Sequence, residues 1–155
     1  MNQNAKPATG EIALTLTRIF DASPALVFKV WTTPEHLARW WGPKDFTVPS
    51  VKADFREGGA WRTCIRSPEG QEYWAHGVYR EIAPPHRIVF TFTWEEENAT
   101  NMVTTVTLEK VEAGTLLTFH QTAFPSAESR DGHAEGWMEC IDRLEAYIAE
   151  QEGAA

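Results

Sequence analysis

From Val48 to Thr122 the chain reads as strand and turn with almost nothing else, and every turn is short. Consecutive strands joined by a few residues pair antiparallel, because a parallel pair needs a crossover of about a dozen residues or more. The segment is therefore a meander rather than a βαβ unit. Gly58-Gly59 divides a strand around Val48 to Phe55 from one at Ala60 to Arg66. Ser67-Pro68-Glu69-Gly70 has proline and glycine where a type I turn favours them. Glu72 to Ile82 follows and Pro84-Pro85 breaks it. From His86 to Trp94 one face carries Ile88, Phe90, Phe92 and Trp94, the other Val89, Thr91 and Thr93. Glu95 to Thr100 is a charged turn. Asn101 to Val111 resumes the alternation, and Glu112-Ala113-Gly114 leads into Thr115 to Thr122.

The flanks supply what can cover this sheet. Ile12, Leu14 and Leu16 alternate with polar or small residues and form a further strand. Ser23-Pro24 and Thr33-Pro34 are helix starts, a capping residue followed by proline. The first of these helices carries Leu26, Val27, Val30 and Trp31, and the second Leu37, Trp40 and Trp41. Gly42-Pro43 stops the second. After Ala123 to Pro125 ends the sheet, Trp137, Ile141, Leu144 and Ile148 recur at helical spacing, with Met138 broadening the stripe. A helix from Asp131, as cap, to Glu150 is ~30 Å long, enough to cross a curved sheet. The predicted fold class is α+β: a curved antiparallel sheet of seven strands wrapped around a long C-terminal helix, with two short helices after the first strand. Residues 11–150 form a single domain, with flexible tails at 1–10 and 151–155. One helix on a curled sheet touches along a line and diverges on both sides, which leaves a groove.

Charge narrows the partners. The chain has 14 Lys and Arg against 22 Asp and Glu, a formal net charge of -8. Phosphate recognition needs a basic stripe, so no nucleic acid is expected, and no anionic membrane surface. Cys64 and Cys140 stand alone, so a disulfide framework is not expected. Nor has any histidine pair metal-ligand spacing, so neither metal nor other cofactor is expected. The polar stretch Met1 to Gly10 does not read as a secretory leader, and no run approaches the ~20 apolar residues of a membrane span. These features predict a cytoplasmic protein, monomeric or homodimeric.

Three stretches resemble one family. Leu26-Val27-Phe28 continues into VWTTPEHLARWWGP (Val30 to Pro43), HGVYREIAPPHRIVFTF runs from His76 to Phe92, and GHAEGWMECIDRLEAYI runs from Gly132 to Ile148. In combination they are similar to the activator of heat-shock-protein-90 ATPase homologues, within the START-like (SRPBCC) superfamily. The resemblance implies the helix-grip fold. It does not imply one activity, because the superfamily includes lipid carriers, hormone receptors, polyketide cyclases and cochaperones.

Within that frame the tryptophans draw attention. Trp40, Trp41, Trp61, Trp74, Trp94 and Trp137 fall on elements that face or rim the groove. They line a ligand site or fill a wide core, and Trp137 is the best candidate for plain core. With them the predicted ligand-binding set is His76, Val78, Phe92, Phe119, Met138 and Ile141. His76 alternates in phase with Trp74 and Val78, which turns it into the groove as a candidate general base or as a histidine satisfied by a neighbour. His120 faces solvent, and His133 caps the long helix or lies on its surface. Gly132 and Gly136, one helical turn apart, indicate close helix-sheet packing rather than space for a ligand. Arg62, Arg66 and Arg80 form ion pairs on the solvent face with acids such as Glu72 and Glu81. The favoured function is a binding module for an apolar, aromatic or lipid-like small molecule. The alternatives are a cavity enzyme of cyclase or hydrolase type and a chaperone-associated interaction protein.

Overall fold

The computed structural model describes residues 12–154; the expected N-terminal tail and Ala155 lie outside the described residues. In chain order the elements are β1 (Ile12–Phe20), α1 (Pro24–Trp31), α2 (Pro34–Trp40), β2 (Thr47–Ala53), β3 (Ala60–Arg66), β4 (Glu72–Ala83), β5 (Arg87–Trp94), β6 (Met102–Val111), β7 (Gly114–Phe124) and α3 (Ala127–Ala154). The strands form one sheet in the order β1-β7-β6-β5-β4-β3-β2, and every pair is antiparallel. The meander is as the short turns require, and β1 joins it beside β7 because α1 and α2 carry the chain across the sheet first. This is the predicted helix-grip architecture.

Local chemistry sets the element ends. Ser23 caps α1, its Oγ accepting from Leu26 N at 3.2 Å. Thr33 caps α2 through its backbone carbonyl, which accepts from Leu37 N at 2.9 Å, while its hydroxyl turns back to donate to the Lys29 carbonyl of α1 at 2.8 Å. Gly42 has φ +100°, a left-handed geometry suited to glycine, and the chain turns there into Pro43. α3 starts four residues before the expected cap. Ser126 Oγ accepts from Ser129 N at 3.0 Å and the Ser126 carbonyl from Arg130 N at 3.1 Å, so Ser126 caps the helix after Pro125. Asp131 is an exposed residue inside the second turn, paired with Arg130. The helix also continues past Glu150 to Ala154.

α3 lies in the concave face of the sheet. Its Trp137, Ile141, Leu144 and Ile148 meet inward residues of the strands, Ile88, Phe90, Val106, Leu108, Leu117 and Phe119, and all belong to one buried cluster with α1 and α2. Arg18 on β1 pairs with Asp142 at 2.9 Å and Glu145 at 2.7 Å, and His36 on α2 hydrogen-bonds to the Tyr147 hydroxyl. Polar contacts thus hold the helix on both flanks. No helix among the described residues is long and apolar enough to cross a membrane.

Candidate functional site

Where α3 diverges from the sheet, a cavity of about 170 Å3 opens between three walls. The helix contributes Gly132, His133, Gly136, Trp137 and Cys140; the sheet contributes Ile65, Phe92 and Trp94; the segment after α2 contributes Trp41, Gly42 and Pro43. The early start of α3 creates the first wall. It places His133 one turn before Trp137 on the apolar stripe, and it sets Gly132, Gly136 and Cys140 four residues apart along one helix face.

The glycines leave space. A Cβ built on Gly132 meets nothing within 4 Å, and one on Gly136 meets only Pro43 Cγ at 3.8 Å. Close packing, the expected reason for these residues, is therefore not what they serve. Each lowers helix stability by ~1 kcal/mol relative to alanine, and what the chain keeps in return is open volume.

The third wall is held by charge. Arg143 Nη1 donates to the carbonyls of Trp41, Gly42 and Pro43 at 3.2, 3.0 and 2.9 Å. Lys44 N donates to Glu139 Oε1 at 3.1 Å. A guanidinium facing three carbonyl oxygens fixes the loop without adding polarity to the cavity itself.

A buried polar network backs the cavity. Gln121, fully buried on β7, donates from Nε2 to Thr104 Oγ1 at 2.8 Å and accepts at Oε1 from Trp137 Nε1 at 3.1 Å. An indole N–H is donor-only, so Trp137 fixes the orientation of the amide. Trp94 Nε1 donates to His133 Nε2 at 3.2 Å, which leaves the His133 proton on Nδ1, facing Gln121 Oε1 at 3.3 Å. Burial pushes the His133 pKa down, so the ring is neutral in this network. The Cys140 thiol is pushed up by burial to about 12, which keeps it protonated and a poor nucleophile. No carboxylate, lysine or arginine is among the lining residues.

His133 predicts a pH response. The unfolded state takes up a proton near 6.5 while the folded state resists until lower pH. The contribution of neutral His133 is therefore complete above 6.5 and declines as pH falls from there toward the lowered folded value. Urea unfolding between pH 7.5 and 5 is expected to show a steeper loss in the wild type than in His133→Leu. Equal slopes would place the titrating group elsewhere.

The predicted site residues separate into groups. Trp41, Phe92, Trp94 and Trp137 come together in the cavity lining. Trp61 lies next to them, 6.1 Å from Trp41 between ring centroids. Trp40, Phe119 and Ile141 are core residues outside the lining; Trp40 Nε1 donates to the Val30 carbonyl at 3.0 Å and Phe119 stacks 4.4 Å from Trp137. Met138 is 49% exposed, on the outer side of α3.

Trp74, His76 and Val78 face away from the groove, which corrects the expected register of β4. The inward residues are Ala75, Gly77 and Tyr79. They are small where they must be, since Trp61 reaches across Gly77 to donate to the Thr91 carbonyl at 3.1 Å. A Cβ at Gly77 would lie 2.6 Å from that indole nitrogen. On the outer face Arg62 stacks over Trp74 at 4.0 Å and forms a two-bond pair with Glu95, which also meets His76 Nδ1 at 3.0 Å. The guanidinium of Arg62 is the main reason the Glu95 carboxyl is held down at about 2. His76 has no route to a groove ligand. Arg66 pairs with Glu72 as expected, whereas Glu81 pairs with Arg87 rather than Arg80. His120 lies on the outer face of β7 and meets Thr15 Oγ1 at 3.0 Å.

Two functional candidates escaped the sequence reading, His133 and Gln121. The signal for His133 was Pro125-Ser126, an earlier helix start than Asp131. For Gln121 it was the strand phase, which continues Leu117 and Phe119 inward.

A family model described as Activator of Hsp90 ATPase homolog 1-like protein matches residues 21–149. Among solved structures, a crystal structure of a protein from Chromobacterium violaceum is similar with a TM-score of 0.82 and 29% identity, covering 88% of this chain and 96% of that one. One from Nitrosomonas europaea has a TM-score of 0.79 and 26% identity over 93% of this chain and 97% of that one. An AHSA1 protein from Silicibacter pomeroyi has a TM-score of 0.81 and 26% identity over 90% of this chain and 99% of that one. No curated protein matches the chain.

Proposed function

Since the chain belongs to the family of Activator of Hsp90 ATPase homolog 1-like proteins, and the matched residues 21–149 include the whole cavity lining, we propose that it is a binding module for a small, uncharged, apolar molecule held between α3 and the sheet. The observation that carries this reading is the pair of helix glycines facing open volume. Of the two, half-buried Gly136 gives up helix stability beside the cavity with room to spare, which supports a ligand in that space, whereas Gly132 is exposed. The lining supports a neutral ligand, because an ion would enter without a counter-charge. The volume supports one about the size of a single aromatic ring, since an apolar cavity of roughly 150 Å3 admits benzene. Small-molecule sites combine such apolar walls with few polar groups, and His133 is the one ring nitrogen pair here, both of its nitrogens already engaged.

The test sets stability against binding. Gly136→Ala is expected to raise unfolding stability by up to ~1 kcal/mol, because the new methyl has room and the helix gains propensity. Gly136→Leu fills the cavity. With toluene as the probe, the wild type is expected to show a saturable rise in Tm, worth about 2.7 kcal/mol at a hundredfold excess over Kd. Gly136→Leu should lose that rise while remaining folded. No saturable shift with the wild type across toluene, indole and naphthalene, or undiminished binding by Gly136→Leu, would remove the cavity reading.

A further inference from the structure

Behind Trp41 lies a second void of about 20 Å3, whose lining includes Trp31, Trp61, Thr63, Tyr79 and Phe90. It continues the same concave surface. Thr63 and Ile65 are two residues apart on β3, as are Phe90 and Phe92 on β5, so each pair shares a strand face. Trp41 belongs to both linings and is the wall between them.

The inner void is lined by the hydroxyl residues Thr63 and Tyr79, and one further polar group sets it apart from the outer cavity. Trp31 is 97% buried (3% exposed), and its indole N–H has no hydrogen-bond partner among the described residues. The indoles of Trp40, Trp61, Trp94 and Trp137 each reach an acceptor. An unpaired buried donor is rare and destabilising, and in a native fold it calls for a reason. A void of this size accommodates about one water-sized group. No lysine, arginine or histidine borders it, and burial holds the Tyr79 hydroxyl far above its usual pKa, so it stays protonated.

We propose that this void is the inner end of the ligand site, where Trp31 Nε1–H donates to a neutral oxygen acceptor of the ligand. The ligand class is then an aromatic ring compound carrying a ketone, aldehyde or ether oxygen, rather than a plain hydrocarbon or a carboxylate. The ring occupies the outer cavity and the oxygen passes the edge of Trp41. This rests on the cavity reading above and adds a direction to it.

Acetophenone and α-methylstyrene have nearly the same shape and differ in the acceptor. Calorimetric titration of both into the wild type and into Trp31→Phe isolates the indole N–H. The ratio of the two Kd values is expected to shift against acetophenone by about tenfold in Trp31→Phe, the size of one net hydrogen bond. In the wild type, the Trp31 indole proton resonance should move downfield with acetophenone and not with α-methylstyrene, a readout that holds even if the variant fails to fold. An unchanged Kd ratio, or an indole resonance that responds alike to both compounds, overturns the subsite while leaving the cavity. Failure of both compounds to bind the wild type overturns the cavity reading and the subsite with it.

Discussion

Replacing Trp137 by alanine is expected to lower stability to unfolding by about 3–5 kcal/mol, measured by urea denaturation. The ring is buried where α3 meets the sheet, with centroids 4.4 Å from Phe119, 5.3 Å from Trp41 and 6.1 Å from Phe92. Its neighbours are themselves aromatic and fixed by partners of their own, so the site has little freedom to collapse, and poor collapse puts the cost at the high end. Truncation also strips Gln121 Oε1 of a donor. Trp137→Phe retains most of the packing and loses only that hydrogen bond, so it should cost far less. A loss below about 1 kcal/mol for the alanine variant is the size of an ordinary surface or partly buried change, and it would mean that α3 does not seat on the sheet at this residue.

The second large effect is expected at a residue that touches no cavity. Gln121→Met keeps the length of the side chain and removes the amide that joins β6, β7 and α3. Trp137 Nε1–H and the Thr104 hydroxyl are both left buried without their partner, and at about 1–3 kcal/mol each the variant should lose about 2–6 kcal/mol. A double variant distinguishes lost partners from lost packing. Removing donor and acceptor together is nearly neutral when shape is kept, so Gln121→Met with Trp137→Phe should lose less than the sum of the single changes. Strict additivity would show that the amide contributes through its volume alone.

The architecture could be read in advance because it depends on periods and turns. Alternation between Ile88 and Trp94, the tight connections and the stripe from Trp137 to Ile148 each specify an element and its partner face. Phase was harder. On β4 the bulky residues Trp74 and Val78 point outward and Ala75 and Gly77 inward, because Trp61 from the neighbouring strand already fills that part of the concavity. A rule that puts the larger residues inside fails wherever another strand supplies the volume. The site suffered from a related problem at the helix start. Setting the cap at Asp131 put His133 in the first turn, where it read as a capping or surface residue, and left the two glycines to be read as close packing against the sheet. With Ser126 as the cap, the same residues occupy the second and third turns, and their cost and direction acquire meaning. Pairing of Gln121 with the Trp137 indole, the His133 ring and the Thr104 hydroxyl could not be read at all, since it joins three elements distant in sequence.

The indoles around Trp41 also have an optical consequence. Their centroids lie 6.5 Å from Trp31, 5.8 Å from Trp40, 6.1 Å from Trp61 and 5.3 Å from Trp137. Transition dipoles that close and edge-on couple to one another, so the five rings absorb as a group and pass excitation among themselves before any emits. The near-ultraviolet circular dichroism should accordingly be strong and split, and each Trp→Phe replacement should alter more of the spectrum than one chromophore's share. A molecule seated against Trp41 or Trp137 drains excitation collected by all of them. Trp74, stacked under Arg62 on the far side of the sheet, stands apart from that group and serves as an internal reference against which the quenching is read.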